Sequence, residues 1–459
     1  MTWTLLAALV LALGVAALAA LARRRELARM QAGVVERQRA VRNGAHQAQL
    51  RQPVVDLSRC LGCGACVAAC PEERVLDLVH GQAVVVNGAR CVGHAACERE
   101  CPVGAITVTL ANLEQRRDVP VLTPELEAPH APGLFLAGEV TAHALIKTAI
   151  EHGASVAREV AKRCASPAPA LPSGNAPLDL CIVGAGPAGL ACALEAKKHG
   201  LRFVVVDQAS ELGGTVAKYP RRKLVITQPV ELPLYGALKQ TSYTKEELIA
   251  LWQSIARQHE LPIRGGCTLE SVQRYDDGFL LATSGGELRA RHVCMAIGRR
   301  GAPNRLGVVG EELEKVSYGL LDAHSYAGRR VLVVGGGDSA VEAAVALAEQ
   351  PGAEVTLSYR RPAFFRLRGR NEQRLQEALD AGRLRVLFDS EVRTIGAEQV
   401  ELEVRRPDGA QRLQLANDEV FVLAGGAPPF PLLERAGVSF DPSQRATPPP
   451  APEQGAGLA

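Results

Sequence analysis

Cys60, Cys63, Cys66 and Cys70-Pro71 follow the pattern C-x2-C-x2-C-x3-C-P, and Cys91, Cys97 and Cys101-Pro102 repeat it with one defect. That spacing lets three thiolates wrap an iron–sulfur cubane while the fourth, beside proline, reaches across to a second one. Cys60, Cys63, Cys66 and Cys101 then hold one cluster, and Cys70, Cys91 and Cys97 hold the other. A zinc knuckle or a disulfide framework would call for different spacing. Chemistry of this kind moves electrons singly. The defect is His94, which stands where the second run should carry a thiolate. Three readings are open: imidazole ligation of the fourth iron, a three-iron cluster with His94 idle, or a four-iron cluster completed by another ligand. A neutral imidazole in place of thiolate should raise the reduction potential.

Two glycine-rich turns supply the second kind of chemistry. Asp179–Leu194 reads as a strand, a turn and a helix start. Gly184 permits the tight turn, Gly186 lets a pyrophosphate approach backbone, and Gly189 allows close helix–strand packing. The next strand, Phe203–Val206, ends in Asp207, where an acid suited to a ribose hydroxyl is expected. Gly213, Gly214 and Thr215 follow, a backbone able to skirt a bulky cofactor. The second turn, Gly335-Gly-Gly337-Asp338-Ser339-Ala340, again follows a run of valines. Its next strand ends in Arg360-Arg361 rather than an acid. Arginine there accommodates a 2′-phosphate, so the spacing points to NADP(H). Arg366 and Arg368 either add to that clamp or belong to a solvated basic loop.

These motifs need elements to position them. A chain of 459 residues requires two or three cores. Abundant glycine and sparse aromatics suit nucleotide-binding α/β domains, and the net charge of +3 does not select a partner. Of the twelve cysteines, the five outside the runs (Cys164, Cys181, Cys192, Cys267, Cys294) read as buried, inert thiols. Trp3–Ala22 is uncharged and long enough to cross a bilayer core, and Arg23-Arg24-Arg25 follow it. The expectation is a single-pass anchor in a bacterial inner membrane, with the catalytic domains facing the cytoplasm. A polar stalk follows. Nothing in the sequence suggests nucleic-acid binding.

The cysteine runs resemble those of bacterial two-cluster ferredoxins. The two fingerprints, one nested between the halves of the other, resemble flavoproteins with two dinucleotide-binding domains. The likeness is to the thioredoxin-reductase-like branch, which includes ferredoxin–NADP reductases and bacillithiol disulfide reductases. It covers Asp179 to about Val438 and rests on Gly184, Gly186, Gly189, Asp207, Gly213-Gly214, Ala296-Ile297-Gly298, Gly335, Gly337, Ala340 and Arg360-Arg361. The resemblance implies FAD at the first site and NADPH at the second, with Pro187, Ala188, Thr215, Gly298, Asp338 and Ser339 among the cofactor-binding residues. In that family the chain closes with a strand and a Gly-Asp step against the FAD ribityl chain, then a helix whose N-terminus faces the flavin. Residues 420–440 stop short of such an element. Pro132–Gly153 resembles it upstream, with Gly138-Glu139 in place of Gly-Asp. The flavoprotein is therefore read as circularly permuted, its last segment returned by a linker able to span roughly 40 Å at about 3.3 Å per residue.

The expected fold is α/β: two Rossmann-like domains, for FAD and NADPH, a small α+β ferredoxin domain and an N-terminal transmembrane helix. The boundaries read as anchor 1–22, stalk 23–51, two-cluster ferredoxin 52–112, permuted flavin-binding strand and helix 113–164, and linker 165–177. The FAD-binding domain follows at 178–300, with a return segment near 420–440; the NADPH-binding domain takes 301–419, and a disordered tail 441–459. The stretch Val316–Tyr326 holds no cysteine, so the dithiol that thioredoxin reductases carry there is missing. The expected function is a membrane-anchored oxidoreductase passing electrons between NADPH, FAD and two clusters, to or from a one-electron carrier or membrane redox partner. No side chain need act as nucleophile or base, and a homodimer is possible. Two alternatives stand beside it: a disulfide reductase with accessory clusters, and a non-enzymatic redox sensor subunit.

Overall fold

The computed structural model describes residues 2–42, 44–46, 51–110, 116–143, 145–164, 177–227, 229–238, 240, 242–299, 301, 303–365 and 367–445. They form two compact units. One joins 1–111 to 305–319 and 323–425; the other joins 112–304 to 320–322 and 426–459.

The second of these units is built on one seven-stranded sheet. Phe203–Val206, Leu178–Val183, Gly286–Met295 and Leu134–Leu136 run parallel at its centre, with Ile263–Arg264 at one edge. Phe203–Val206 and Leu134–Leu136 are buried at every position, as continuous apolar runs covered on both faces should be. The antiparallel strands Gly278–Thr283 and Leu269–Tyr275 extend the other edge. Leu134–Leu136 pairs with Val293–Met295, so a segment lying before the first fingerprint in sequence lies inside its sheet. The helix Ile146–Cys164 packs against the fingerprint helix Pro187–Lys198. A Cβ on Gly153 would stand 1.9 Å from the Ala188 carbonyl oxygen and 3.0 Å from the Cys192 nitrogen. Only glycine lets the two backbones come this close.

The other unit contains a five-stranded parallel sheet in the order Val316–Ser317, Glu419–Val422, Arg330–Val334, Glu354–Ser358, Leu384–Leu387. The strands Ser390–Ile395, Gln399–Arg406 and Gly409–Ala416 form an antiparallel sheet beside it. The cysteine-rich part of the same unit pairs its first and last strands, Arg51–Val55 with Ile106–Leu110, and closes a hairpin from Leu76–Val79 and Gln82–Val85. Its small core gathers Cys66, Val75, Leu76, Ala83, Cys97 and Ile106.

Several expectations need correction. The anchor expected at Trp3–Ala22 gains no support: the run opens a helix, Thr2–Arg42, that continues unbroken through the arginines. Among the described residues no helix is long and apolar enough to cross a membrane. The side chains of Thr2, Thr4, Leu5, Ala8 and Leu9 lie outside the described residues. The helix takes in most of the stretch expected as a polar stalk, and its second half makes contacts. Glu36 accepts from Asn87 Nδ2 at 2.9 Å, Asp77 crowds Gly33, and Ala40 is buried, so this stretch packs on the cysteine-rich part. The return segment starts later than residue 420, because Glu419–Val422 is a strand of the five-stranded sheet. The tail expected from 441 is ordered at its start: Asp441 caps a short turn, Pro442–Gln444, and Arg445 donates to the Val119 carbonyl at 2.8 Å. Linker residues 165–176, tail residues 446–459 and Arg366 lie outside the described residues.

Candidate functional site

Each half of the cysteine-rich part starts a short helix from a left-handed residue, Gly64 (φ 76°) before Ala65–Ala69 and Ala95 (φ 54°) before Ala96–Arg99. The helices carry Cys66 and Cys97 to buried positions. Cys60, Cys63, Cys66 and Cys101 line one small cavity, closed by Ala83 and Ile106. Among the described residues no three His, Cys, Asp or Glu side chains converge tightly enough for a single ion; these four thiols surround a space instead. The Ala83 amide donates to Cys60 Sγ at 3.4 Å and the Ala105 amide to Cys101 Sγ at 3.2 Å. Such bonds stabilise sulfur carrying negative charge. Burial opposes ionisation of Cys101, but amides at Ala105, Val103, Ile106 and Gly104 outweigh it and pull its pKa down. A cubane's donor set fits here.

The second trio is harder to ionise. Burial, with Cys70 and Cys91 close by, pushes the Cys97 thiol up to about 11. Cys91 is raised by burial and by Cys70 and Glu72, and Cys70 by burial and Glu72. Burial raises all three and neighbouring sulfur adds at Cys91 and Cys97, so the trio needs a cation to ionise together and also fits a cluster. His94 stands one turn before Cys97. Its Nε2 is buried and has no hydrogen-bond partner among the described residues. Burial, then Arg99 and Arg368, hold its pKa below the ordinary value, which keeps the ring neutral.

At the first glycine turn, Gly184 takes φ 107°, and a Cβ there would meet the Ala296 carbonyl oxygen at 2.4 Å. Pro187 opens the helix Pro187–Lys198 after Gly186, with no side-chain cap, which leaves first-turn amides suited to a pyrophosphate. Asp207 accepts from the Ala185 amide at 2.5 Å and the Ala209 amide at 2.7 Å, and a carboxylate keeps further lone pairs for hydroxyls. Gly214 (φ 56°) abuts Gly186: a Cβ on it would lie 3.0 Å from that Cα. Gly213 packs under Ile249, and Thr215 opens the turn that Lys218 closes.

The upstream motif reaches the same place. Gly138 (φ 80°) begins the turn Gly138–Thr141, and a Cβ on it would stand 3.0 Å from Ala188 Cβ. Glu139 Oε2 lies about 4 Å from where a Cβ on Gly298 would be. Gly138, Glu139, Gly184, Gly186, Ala188, Gly214 and Gly298 thus surround one region. Sequence reasoning did not single out Thr141, whose hydroxyl donates to the Gly138 carbonyl at 2.8 Å, or the His143–His152 ring pair beside it, 5.2 Å apart.

The second turn repeats the pattern. Gly337 precedes the helix Asp338–Ala348 without a side-chain cap, placing Asp338, Ser339 and Ala340 in its first turn. The Tyr359 ring covers Gly336, where any side chain would collide with it. Arg360 and Arg361 follow the strand Glu354–Ser358 and are exposed, with Arg361 over the Phe365 ring at 4.5 Å. Asp338 accepts from the Arg368 amide at 3.0 Å and from Asn371 Nδ2 at 2.8 Å. Asn371 carried no sequence signal.

Residues 181–453 match the model of the pyridine nucleotide-disulphide oxidoreductases, and residues 52–102 match that of the 4Fe-4S dicluster domain. A ferredoxin–NADP reductase of Thermus thermophilus is 36% identical over 256 residues, covering 54% of this chain and 72% of its own. The bacilliredoxin reductase Bdr of Bacillus subtilis is 25% identical, covering 57% and 80%. Among solved structures, the bacillithiol disulfide reductase of Bacillus cereus aligns with a TM-score of 0.50 at 25% identity, covering 56% and 81%.

Proposed function

We propose a function from the premise that the chain belongs to the pyridine nucleotide-disulphide oxidoreductase family and carries a 4Fe-4S dicluster domain ahead of it: an NAD(P)H-dependent FAD and iron–sulfur oxidoreductase that exchanges single electrons with a ferredoxin-type carrier. The observation that carries this reading is the cavity lined by Cys60, Cys63, Cys66 and Cys101 in a chain that also holds two dinucleotide turns.

When bound, FAD supplies exchange of a hydride with nicotinamide and the clusters supply one-electron steps. The chain's own part is to bind and tune. Helix amides after Gly186 and Gly337 would hold pyrophosphates, Asp207 a ribose, and Arg360 and Arg361 a 2′-phosphate. Gly138 and Glu139, delivered by the strand Leu134–Leu136, would close the FAD site, which makes the permuted arrangement part of this reading. Cys60, Cys63, Cys66 and Cys101 would hold one cluster, and Cys70, Cys91, Cys97 and His94 the other.

Thiol accessibility separates this reading from disulfide reduction. Outside the cysteine runs Cys181, Cys192, Cys267 and Cys294 are buried and Cys164 is half-buried. Burial pushes Cys181 up to about 12 and Cys164 upward as well. A thiol attacking a disulfide must be an accessible thiolate, and none of these five is.

Anaerobic titration with NADPH tests the proposal. Flavin absorbance should bleach, and the EPR signals of reduced clusters should grow in. Bleaching without any cluster reduction, while dithionite does reduce the clusters, defeats it.

A further inference from the structure

The cysteine-rich part is docked on the second glycine turn through charges that nothing in either motif requires. Arg90, nearly buried, forms a short ion pair with Glu372, and Arg39 reaches the other carboxylate oxygen at 3.4 Å. Glu73 lies over the first turn of the helix Gly369–Asp380: a Cβ on Gly369 would stand 2.8 Å from its Oε2. A carboxylate there is favoured by the helix dipole. Glu72, half-buried, interacts electrostatically with Arg368, Asp338 and Arg90, and its charge also bears on Cys70 and Cys91. Arg368 also bears on His94 and pairs with Asp338 at 3.9 Å. One small set of charges therefore touches both the second thiol trio and the turn that begins at Gly335.

We infer that Glu72, Arg90, Arg368 and Glu372 couple the nucleotide site to the adjacent cluster, so that nucleotide affinity depends on the cluster's oxidation state. The inference rests on the function proposed above and adds regulation to it. Each electron taken up by the cluster adds a negative charge beside a site that binds phosphates. Low-dielectric surroundings and a fixed ion-pair bridge keep that repulsion from being screened away. By linkage, nucleotide phosphates must in turn oppose cluster reduction to the same extent.

The test uses holoprotein and adenosine 2′,5′-bisphosphate, which carries the 2′-phosphate but has no nicotinamide to react. Its affinity is measured by anaerobic calorimetry on oxidised protein and on protein whose clusters have each taken one electron from dithionite, checked by EPR. Reduced protein should bind it at least about five-fold more weakly, the low end of ordinary coupling. Arg90→Gln, which removes the guanidinium between Glu72 and Glu372, should cut the difference to under about two-fold. Equal affinity in both states of the wild type overturns the inference while leaving nucleotide binding intact. An undiminished difference in Arg90→Gln overturns it too, since flavin charge alone would then account for the effect. No binding in either state sinks the nucleotide reading and the coupling together.

Discussion

At His94 a buried imidazole nitrogen meets no hydrogen-bond partner among the described residues, in register with a position that holds a thiolate in the first cysteine run. A buried polar atom left unpaired costs about 1–3 kcal/mol, and ligation of iron would remove that cost. We expect His94→Ala to convert the second cluster from a four-iron to a three-iron species, read by EPR of the air-oxidised protein, with the first cluster's signal unchanged. His94→Cys should keep four irons and lower the second cluster's potential, because thiolate adds negative charge. Spectra and potential identical to wild type in both variants would remove His94 from the ligand set. The ligands were legible in the sequence because cluster chemistry fixes short, local spacings. The Arg90–Glu372 contact was not, since 282 positions separate its partners and neither belongs to a motif.

Between elements, the contact that decides the flavin site is that of the helix Ile146–Cys164 with the fingerprint helix Pro187–Lys198. Gly153 sits where a methyl group would collide with the Ala188 carbonyl, in the turn that would cradle a pyrophosphate. Gly153→Ala must push the helices apart, at a cost of about 1–3 kcal/mol or more, and should release FAD on dilution. Gly319→Ala, with open space around it and no left-handed backbone, serves as the neutral control. Equal FAD retention in both variants would mean that this helix does not form the site. A second tie holds the same helix: Arg163 makes paired hydrogen bonds to Glu127, at 2.6 and 2.9 Å, and stacks over Phe135. The Arg163 bond, against burial, holds the Glu127 carboxyl below its ordinary range. A depressed carboxyl contributes stability above its unfolded pKa and loses it as pH falls through the folded value. Glu127→Gln should therefore cost about 1–2 kcal/mol at neutral pH in urea unfolding, with the gap to wild type closing as pH drops below about 4. A gap that stays constant with pH would assign the loss to packing instead. The fingerprint strands were readable from their valine runs and glycines. The neighbour of Gly286–Met295 was readable only by resemblance, because Leu134–Leu136 is too short to announce itself by periodicity.

The molecule as a whole divides its stability unevenly between parts with large apolar cores and one without. The sheet carrying the first fingerprint is surrounded by dozens of buried apolar residues, among them Trp252, Phe135 and Leu194. The cysteine-rich part has a core of six buried residues, two of them the thiols Cys66 and Cys97. A core so small rarely holds a fold unaided, and a bound cluster then contributes folding free energy directly. Four of its thiols also resist ionisation without metal: burial raises Cys97 to about 11 and lifts Cys66, Cys70 and Cys91, with neighbouring sulfur adding at Cys66, Cys91 and Cys97. Each must lose a proton to bind iron, so cluster assembly releases protons and is favoured as pH rises toward those raised values. Chelation of iron from the oxidised protein should melt the cysteine-rich part alone, seen as loss of one calorimetric transition while the nucleotide-binding parts keep theirs. Reconstitution with iron and sulfide should then proceed more fully at about pH 9 than at about pH 7. A single transition that moves as one with iron content would show instead that the small domain and the sheets fold together. In that case the cluster would stabilise both together, with the Arg90–Glu372 dock coupling them.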